Sequence, residues 1–359
     1  MNATAQLPAL GQRLWLDNIT RGLLTSGTLQ RYINEFAITG VTSNPTIFER
    51  AIADGTSYDR AIREKAAAGK SGEPLFFELA IEDLTQAAAL LRPVHDATGG
   101  IDGWVSLEVS PLLANDTAGT IKAAVQLHER AACPNLLIKI PGTRAGIPAI
   151  EEAIFLGVPV NVTLLFSRVQ YGSAAHAYMR GIERRLKARL DPKVASVASL
   201  FVSRWDTAVR AEISPQFHDR LGIAIAMSTY RAYCDHLASA RWQALADAGA
   251  HRQRLLWAST GTKDRAAPDT LYVAALAAAG TINTIPEKTL LAFADHGDAG
   301  TPLPADGGFS ETVLEEFRRE GVDIEALAAR LQVEGADAFT KSWAALLLRI
   351  AHKSGRLDE

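Results

Sequence analysis

The chain has 359 residues, 48% of them hydrophobic and 21% charged, and 37 basic against 40 acidic residues leave a formal net charge of −3. This balance excludes an intrinsically disordered chain, which would be less apolar and more charged. A pI of about 6.3 argues against nucleic acid as an obligate partner. The longest apolar run, 271–279, stops at Gly280, short of the 18 or so residues a membrane span needs. Cys133 and Cys234 are the only cysteines, which rules out a disulfide scaffold and fits a reducing cytoplasm. Residues 1–11 carry no basic segment followed by an apolar one, so secretion is not expected. The Asn-x-Thr triplets at Asn2, Asn18, Asn115 and Asn161 therefore read as chance or structural, not as glycosylation sites.

Short apolar runs occur in order at 14–18, 40–44, 104–108, 136–140, 159–164, 194–200, 254–259 and 281–285. Each is rich in leucine or β-branched residues and is followed by a helix-like stretch, the pattern of parallel strands covered on both faces. Eight β-α units predict a closed (β/α)8 TIM barrel with additional helices; an open doubly wound sheet is the alternative. One domain is expected over 1–359. Helical insertions are expected at about 50–100, where 80–91 is strongly helical, and at about 206–250. A C-terminal extension over about 308–359 reads as helices near 311–320, 324–331 and 339–351.

Seven of the eight runs carry polar residues near their C-terminal ends: Asp17, Asn44, Glu108, Lys139, Asn161 with Thr163, Ser199 and Ser259. In a barrel those ends converge on the face where substrates bind. One such residue would be an ordinary hydrogen-bonded strand end. So many together would cost stability unless they served one another or a ligand.

Lys139 lies within Leu136-Leu-Ile-Lys-Ile-Pro141, where strand alternation turns Leu137 and Lys139 inward. Desolvation favours a neutral amine, the nucleophile that forms a Schiff base with a carbonyl. A lysine paired with Glu108 or Asp17 for stability alone is the competing reading. Schiff-base chemistry moves several protons, and Asp17 and Glu108 are carboxylates on different strands that could move them. Asp17 could instead cap a helix ahead of Ile19 and Thr20. Arg204, just past a strand end, and Lys263, in the small-residue segment 258–263, are candidate anion ligands.

Other features read as decoys. Gly69-Lys70-Ser71 has Glu64 where a P-loop needs its first glycine. The basic segment Arg180, Arg184, Arg185, Lys187 and Arg189 reads as a solvated helix face. No histidine pair has zinc-ligand spacing, and no metal or nucleotide cofactor is expected.

Gly40-Val-Thr-Ser-Asn-Pro-Thr-Ile-Phe48 resembles the first transaldolase signature, and 138–150, around Lys139, resembles the second. Asn161-Val-Thr163 and Ser199-Leu-Phe-Val-Ser-Arg204 resemble further family segments in the same order. Ser259-Thr-Gly-Thr-Lys263 and Asn283-Thr-Ile-Pro-Glu-Lys288 are similar to the longer bacterial branch. The resemblance implies a class I aldolase-type barrel without cofactor. It would move a dihydroxyacetone unit from fructose 6-phosphate to erythrose 4-phosphate in the non-oxidative pentose phosphate pathway. It assigns the Schiff base to Lys139 and deprotonation of the donor hydroxyl to Asp17. Glu108 and Thr163 would handle the carbinolamine water. Asn44 and Asn161 would hold substrate hydroxyls, with Ser199 and Phe201 beside them; Arg204, Lys263 and Ser259 would hold the phosphate. The related fructose 6-phosphate aldolases, which release free dihydroxyacetone, typically carry glutamine and tyrosine at the positions of Glu108 and Phe201. Partners are then expected to be sugar phosphates, with neither nucleic acid nor membrane, for a cytoplasmic monomer or homodimer.

Overall fold

The computed structural model describes residues 3–355. Asn2, from the first Asn-x-Thr triplet, and the last four residues of the C-terminal extension lie outside them.

The eight runs form eight strands: β1 (Arg13–Leu16), β2 (Ile38–Val41), β3 (Trp104–Glu108), β4 (Leu136–Pro141), β5 (Val160–Leu165), β6 (Ser196–Phe201), β7 (Arg254–Ala258) and β8 (Ile282–Ile285). All neighbours are parallel, and β8 returns to β1 to close the barrel, so the open-sheet alternative is set aside. Every residue of β3 through β7 is buried. Such strands have helices on one side and the packed barrel interior on the other. The register sets Glu108 beside Lys139 and Lys139 beside Asn161.

Trp15 of β1 is fully buried, and its indole N–H donates to Asp102 at 2.9 Å. A Cβ on Gly40 would fall 2.5 Å from its indole, so β2 needs glycine there. Gly40→Ala is expected to destabilise the fold by about 1–3 kcal/mol through overpacking. An unchanged urea midpoint would show that the indole can move aside.

Several boundaries differ from the sequence reading. β2 begins and ends earlier than 40–44, because Asn44 leaves the sheet to cap the helix Pro45–Ala53. Its Oδ1 accepts from the Ile47 N–H at 3.1 Å, with proline at the start of the helix. Asp17 caps nothing. That role falls to Thr20, whose hydroxyl accepts from the Leu23 N–H at 3.0 Å. The segments 324–331 and 339–351 are one helix, Ile324–Lys353. Gly335, a break signal in sequence, is there for close approach: a Cβ would lie 2.9 Å from Leu164 Cδ2 and 3.3 Å from Arg204 Nη1. The basic segment is not simply solvated, since Arg180 and Arg184 both pair with Glu151 on the helix Gly146–Leu156.

Added helices lie between β2 and β3 (Pro45–Ala53, Asp59–Ala67, Gly72–Ala97) and between β6 and β7 (Ser203–Val209, Leu221–Ala238, Ala240–Asp247). The helix Ile324–Lys353 crosses the C-terminal mouth of the barrel. Gln332 Nε2 donates to the carbonyls of Gly142 at 3.0 Å and Leu164 at 2.9 Å. Farther along, Ser342 bonds Thr46 at 2.8 Å and Lys353 pairs with Asp59 at 2.6 Å. Among the described residues no helix is long and apolar enough to cross a membrane.

Candidate active site

A pocket of about 290 Å³ opens at the C-terminal mouth, and Lys139 lies in its wall. The lysine is only 5% exposed. Its Nζ lies 3.1 Å from Glu108 Oε2 and donates to the Ser43 carbonyl at 2.9 Å. The Glu108 contact is an ion pair rather than an aligned hydrogen bond. The Ser43 hydroxyl donates to the Ser106 carbonyl at 2.7 Å, which ties the end of β2 to β3 and aims the Ser43 carbonyl at the lysine.

Two carboxyls flank this ammonium. Burial pushes the Asp17 carboxyl above its ordinary value, opposed by Lys139 and by the Thr42 hydroxyl, which donates to Oδ1 at 2.7 Å. Thr42 also bonds the Thr284 hydroxyl at 2.6 Å, linking β1, β2 and β8 at one level. Burial raises Glu108 too, opposed by Lys139 and reinforced by the Asp17 charge. Raised carboxyls accept and return protons nearer neutrality than ordinary ones.

Of the residues singled out in sequence, Asp17, Asn44, Lys139, Thr163, Ser199, Phe201, Arg204, Ser259 and Lys263 all line this pocket. Glu108 and Asn161 do not. Glu108 reaches the site through Lys139, and Asn161 is tied within the barrel. Its Oδ1 accepts from Ser199 at 2.7 Å and its Nδ2 donates to Ser106 Oγ at 3.1 Å. Thr163 keeps a fully buried hydroxyl with no partner among the described residues. An orphaned hydroxyl in a pocket wall is suited to receive a water or substrate oxygen. Asn44 uses its oxygen for the helix cap, which leaves its amide N–H groups for the pocket.

Thr163 sits next to a bulge. The β5–β6 register shifts between Val162 and Leu165, and Leu164 adopts φ 59°. The Gly142 N–H donates to the Thr163 carbonyl at 2.7 Å. With Gln332 bonded to Gly142 and Leu164, the bulge is clamped from above.

The rim of the pocket is cationic. Arg50, Arg204 and Lys263 reach it from the connections after β2, β6 and β7, and none forms an ion pair among the described residues. Arg204 lies between two rings, 5.3 Å from Phe201 and 5.9 Å from Phe339. Burial lowers its guanidinium from the ordinary value, with Glu334 opposing, yet an arginine so placed stays charged. Ser203 and Ser259 bond each other at 2.9 Å and join the β6 and β7 connections. Behind them buried Asp206, pushed up to about 6 by desolvation, accepts from the Leu221 and Gly222 N–H groups and the Tyr272 hydroxyl. An unpaired cationic rim on a fixed frame suits a phosphate or other anion.

Thr42, Ser106, Thr284, Arg50, Gln332 and Phe339 belong to this site, and the sequence does not single them out. The hydroxyls are single polar residues within apolar runs. Arg50, Gln332 and Phe339 lie on helices whose approach to the mouth no local pattern records.

Fold and site together have the parts of a (β/α)8 aldolase that works through a lysine. A family model described as transaldolase/fructose-6-phosphate aldolase matches residues 14–350. The transaldolase of Thermobifida fusca is 44% identical over 357 residues, with 97% of each chain covered. That of Thiobacillus denitrificans is 43% identical over 358 residues, covering 98% of this chain and 100% of its own. Transaldolase 1 of Streptomyces avermitilis is 43% identical over 351 residues, covering 95% and 93%. The chain belongs to the transaldolase/fructose-6-phosphate aldolase family.

Proposed function

We propose that the protein is a transaldolase. It transfers a dihydroxyacetone unit from fructose 6-phosphate or sedoheptulose 7-phosphate to glyceraldehyde 3-phosphate or erythrose 4-phosphate. The observation that carries this reading is the buried Lys139 ammonium, 3.1 Å from Glu108 and facing a pocket that Asp17 also lines. Lys139 gives a proton to Glu108 and attacks the ketose carbonyl. The carbinolamine loses water with protons moved by Glu108 through the Thr163 hydroxyl. Asp17 then takes the proton of the C4 hydroxyl as the C3–C4 bond breaks and the aldose phosphate leaves. The enamine left on Lys139 adds to the acceptor aldehyde, and the steps reverse. Asn44 and Ser199 hold the hydroxyls of the three-carbon unit, with Asn161 orienting Ser199. Arg204 and Lys263 hold the phosphate, with Ser259 bracing their connections.

Glu108 and Phe201 favour transfer over release of dihydroxyacetone, since the aldolase branch of the family resemblance carries glutamine and tyrosine there. The test is mass-spectrometric product analysis with fructose 6-phosphate, with and without erythrose 4-phosphate. Sedoheptulose 7-phosphate that forms only with acceptor, with little free dihydroxyacetone in its absence, is the expected result. Free dihydroxyacetone without transfer product would make it an aldolase instead. Arg204→Ala is expected to weaken phosphorylated substrates by about 1.5–3 kcal/mol, the worth of one charge-assisted bond, read as a raised KM. An unchanged KM would take the phosphate from Arg204. The free, widely separated Cys133 and Cys234 support a cytoplasmic location. The proposed partners are sugar phosphates alone, for a monomer or homodimer.

A further inference from the structure

A second cavity, of about 460 Å³, opens at the opposite, N-terminal mouth of the barrel. Its walls include Trp104, Leu137, Val197 and Arg254, at the starts of β3, β4, β6 and β7, and Trp242 from the helix Ala240–Asp247. It shares no lining residue with the catalytic pocket. Its size is that of a site for a small organic molecule.

Its charge is unbalanced. Arg254 is 6% exposed, and its one polar contact among the described residues is Asp102 Oδ1, at 3.4 Å. That oxygen already accepts from the Trp15 indole N–H at 2.9 Å, and the other lies 3.7 Å from Arg13. Most of the N–H donors of the Arg254 guanidinium are therefore without a protein partner. Arg252 also lines the cavity, with its guanidinium against Gly280, and no acidic residue lines it. Asp102 is thus divided between two guanidinium groups, and Arg252 adds a further positive charge close enough to act on Arg254. The N-terminal face of such barrels ordinarily serves stability, for which a packed aliphatic would do better than a half-paired buried cation. An under-partnered arginine in the wall of an aromatic-sided cavity is suited to a carboxylate on an apolar body.

We propose that this N-terminal mouth is a second ligand site that takes a small organic acid. Arg254 and Arg252 hold its carboxylate, and its apolar body lies against Trp104 and Trp242. The site is independent of the chemistry at Lys139.

The test is isothermal titration of the full chain with 1-naphthylacetate, with neutral 2-(1-naphthyl)ethanol as control. One-site binding that persists in saturating fructose 6-phosphate is expected. Binding should weaken about tenfold or more for the alcohol, and likewise for the acid in Arg252→Ala and Ala246→Phe, the second of which fills the cavity. Turnover should be unchanged in both variants. Absence of binding, equal binding of the alcohol, displacement by fructose 6-phosphate, or a wild-type affinity in either folded variant would each overturn the proposal. If Ala246→Phe fails to fold by circular dichroism, the exposed Arg252→Ala decides alone.

Discussion

Lys139→Met is expected to reduce sedoheptulose 7-phosphate formation by about 10⁴-fold or more, because in the proposed mechanism Lys139, the pocket amine paired with Glu108, carries the three-carbon unit. The fold should survive. Glu108 and Asp17 lose their cationic partner, but burial already favours their neutral forms, so they protonate rather than remain as unpaired buried charges. Borohydride reduction in the presence of fructose 6-phosphate should add a dihydroxyacetone-derived mass to the wild-type peptide containing Lys139 and to no peptide of the variant. A near-normal rate, or an adduct on Lys263 instead, would remove the Schiff-base assignment.

Asp17→Asn is expected to lower transfer by about 10²–10⁴-fold, the usual worth of a positioned acid or base. It should still trap with borohydride, because the amine, Glu108 and Thr163 remain. This split separates Asp17 from Lys139: one variant loses the adduct, the other keeps it and loses bond cleavage. The pH profile adds a second readout. In the proposed mechanism Asp17 is ionised when it takes the C4 proton, and burial holds its carboxyl above the ordinary value. Turnover therefore falls with falling pH at a point above the ordinary carboxylate range, and the variant's residual rate should lack that limb. An Asp17→Asn enzyme that neither traps nor turns over would mean that Asp17 acts before the Schiff base forms.

The barrel is legible because each strand is a short apolar run with a helix after it, and because parallel strands buried on both faces write this pattern plainly. The inward direction of Lys139 follows from alternation alone, and the register that sets it beside Glu108 agrees. The β2 boundary misleads because an N-capping asparagine before proline looks, within an apolar run, like a strand end. The C-terminal helix reads as two pieces because a glycine inside a helical pattern signals a break and nothing local reveals close approach. Here Gly335 makes room for Leu164 and Arg204. Thr42, Thr284 and Ser106 escape notice for another reason. A lone hydroxyl in a strand has the same local pattern whether it merely satisfies a neighbour or orients a carboxyl in the pocket wall. Glu108 and Asn161 stand out as polar residues within apolar runs, but no sequence pattern tells that they lie behind the pocket wall.

The helix Ile324–Lys353 also sets an order of events. During translation β8 is complete before residue 324 is made, so the barrel has all its strands before Gln332, Gly335 and Phe339 exist. Lys139, Glu108 and Asp17 can assemble at that stage, whereas the clamp on the β5 bulge and the second ring beside Arg204 come afterwards. The nascent barrel thus holds the Lys139 cluster before the surroundings of Arg204 are complete. Docking of one late helix then completes the pocket wall.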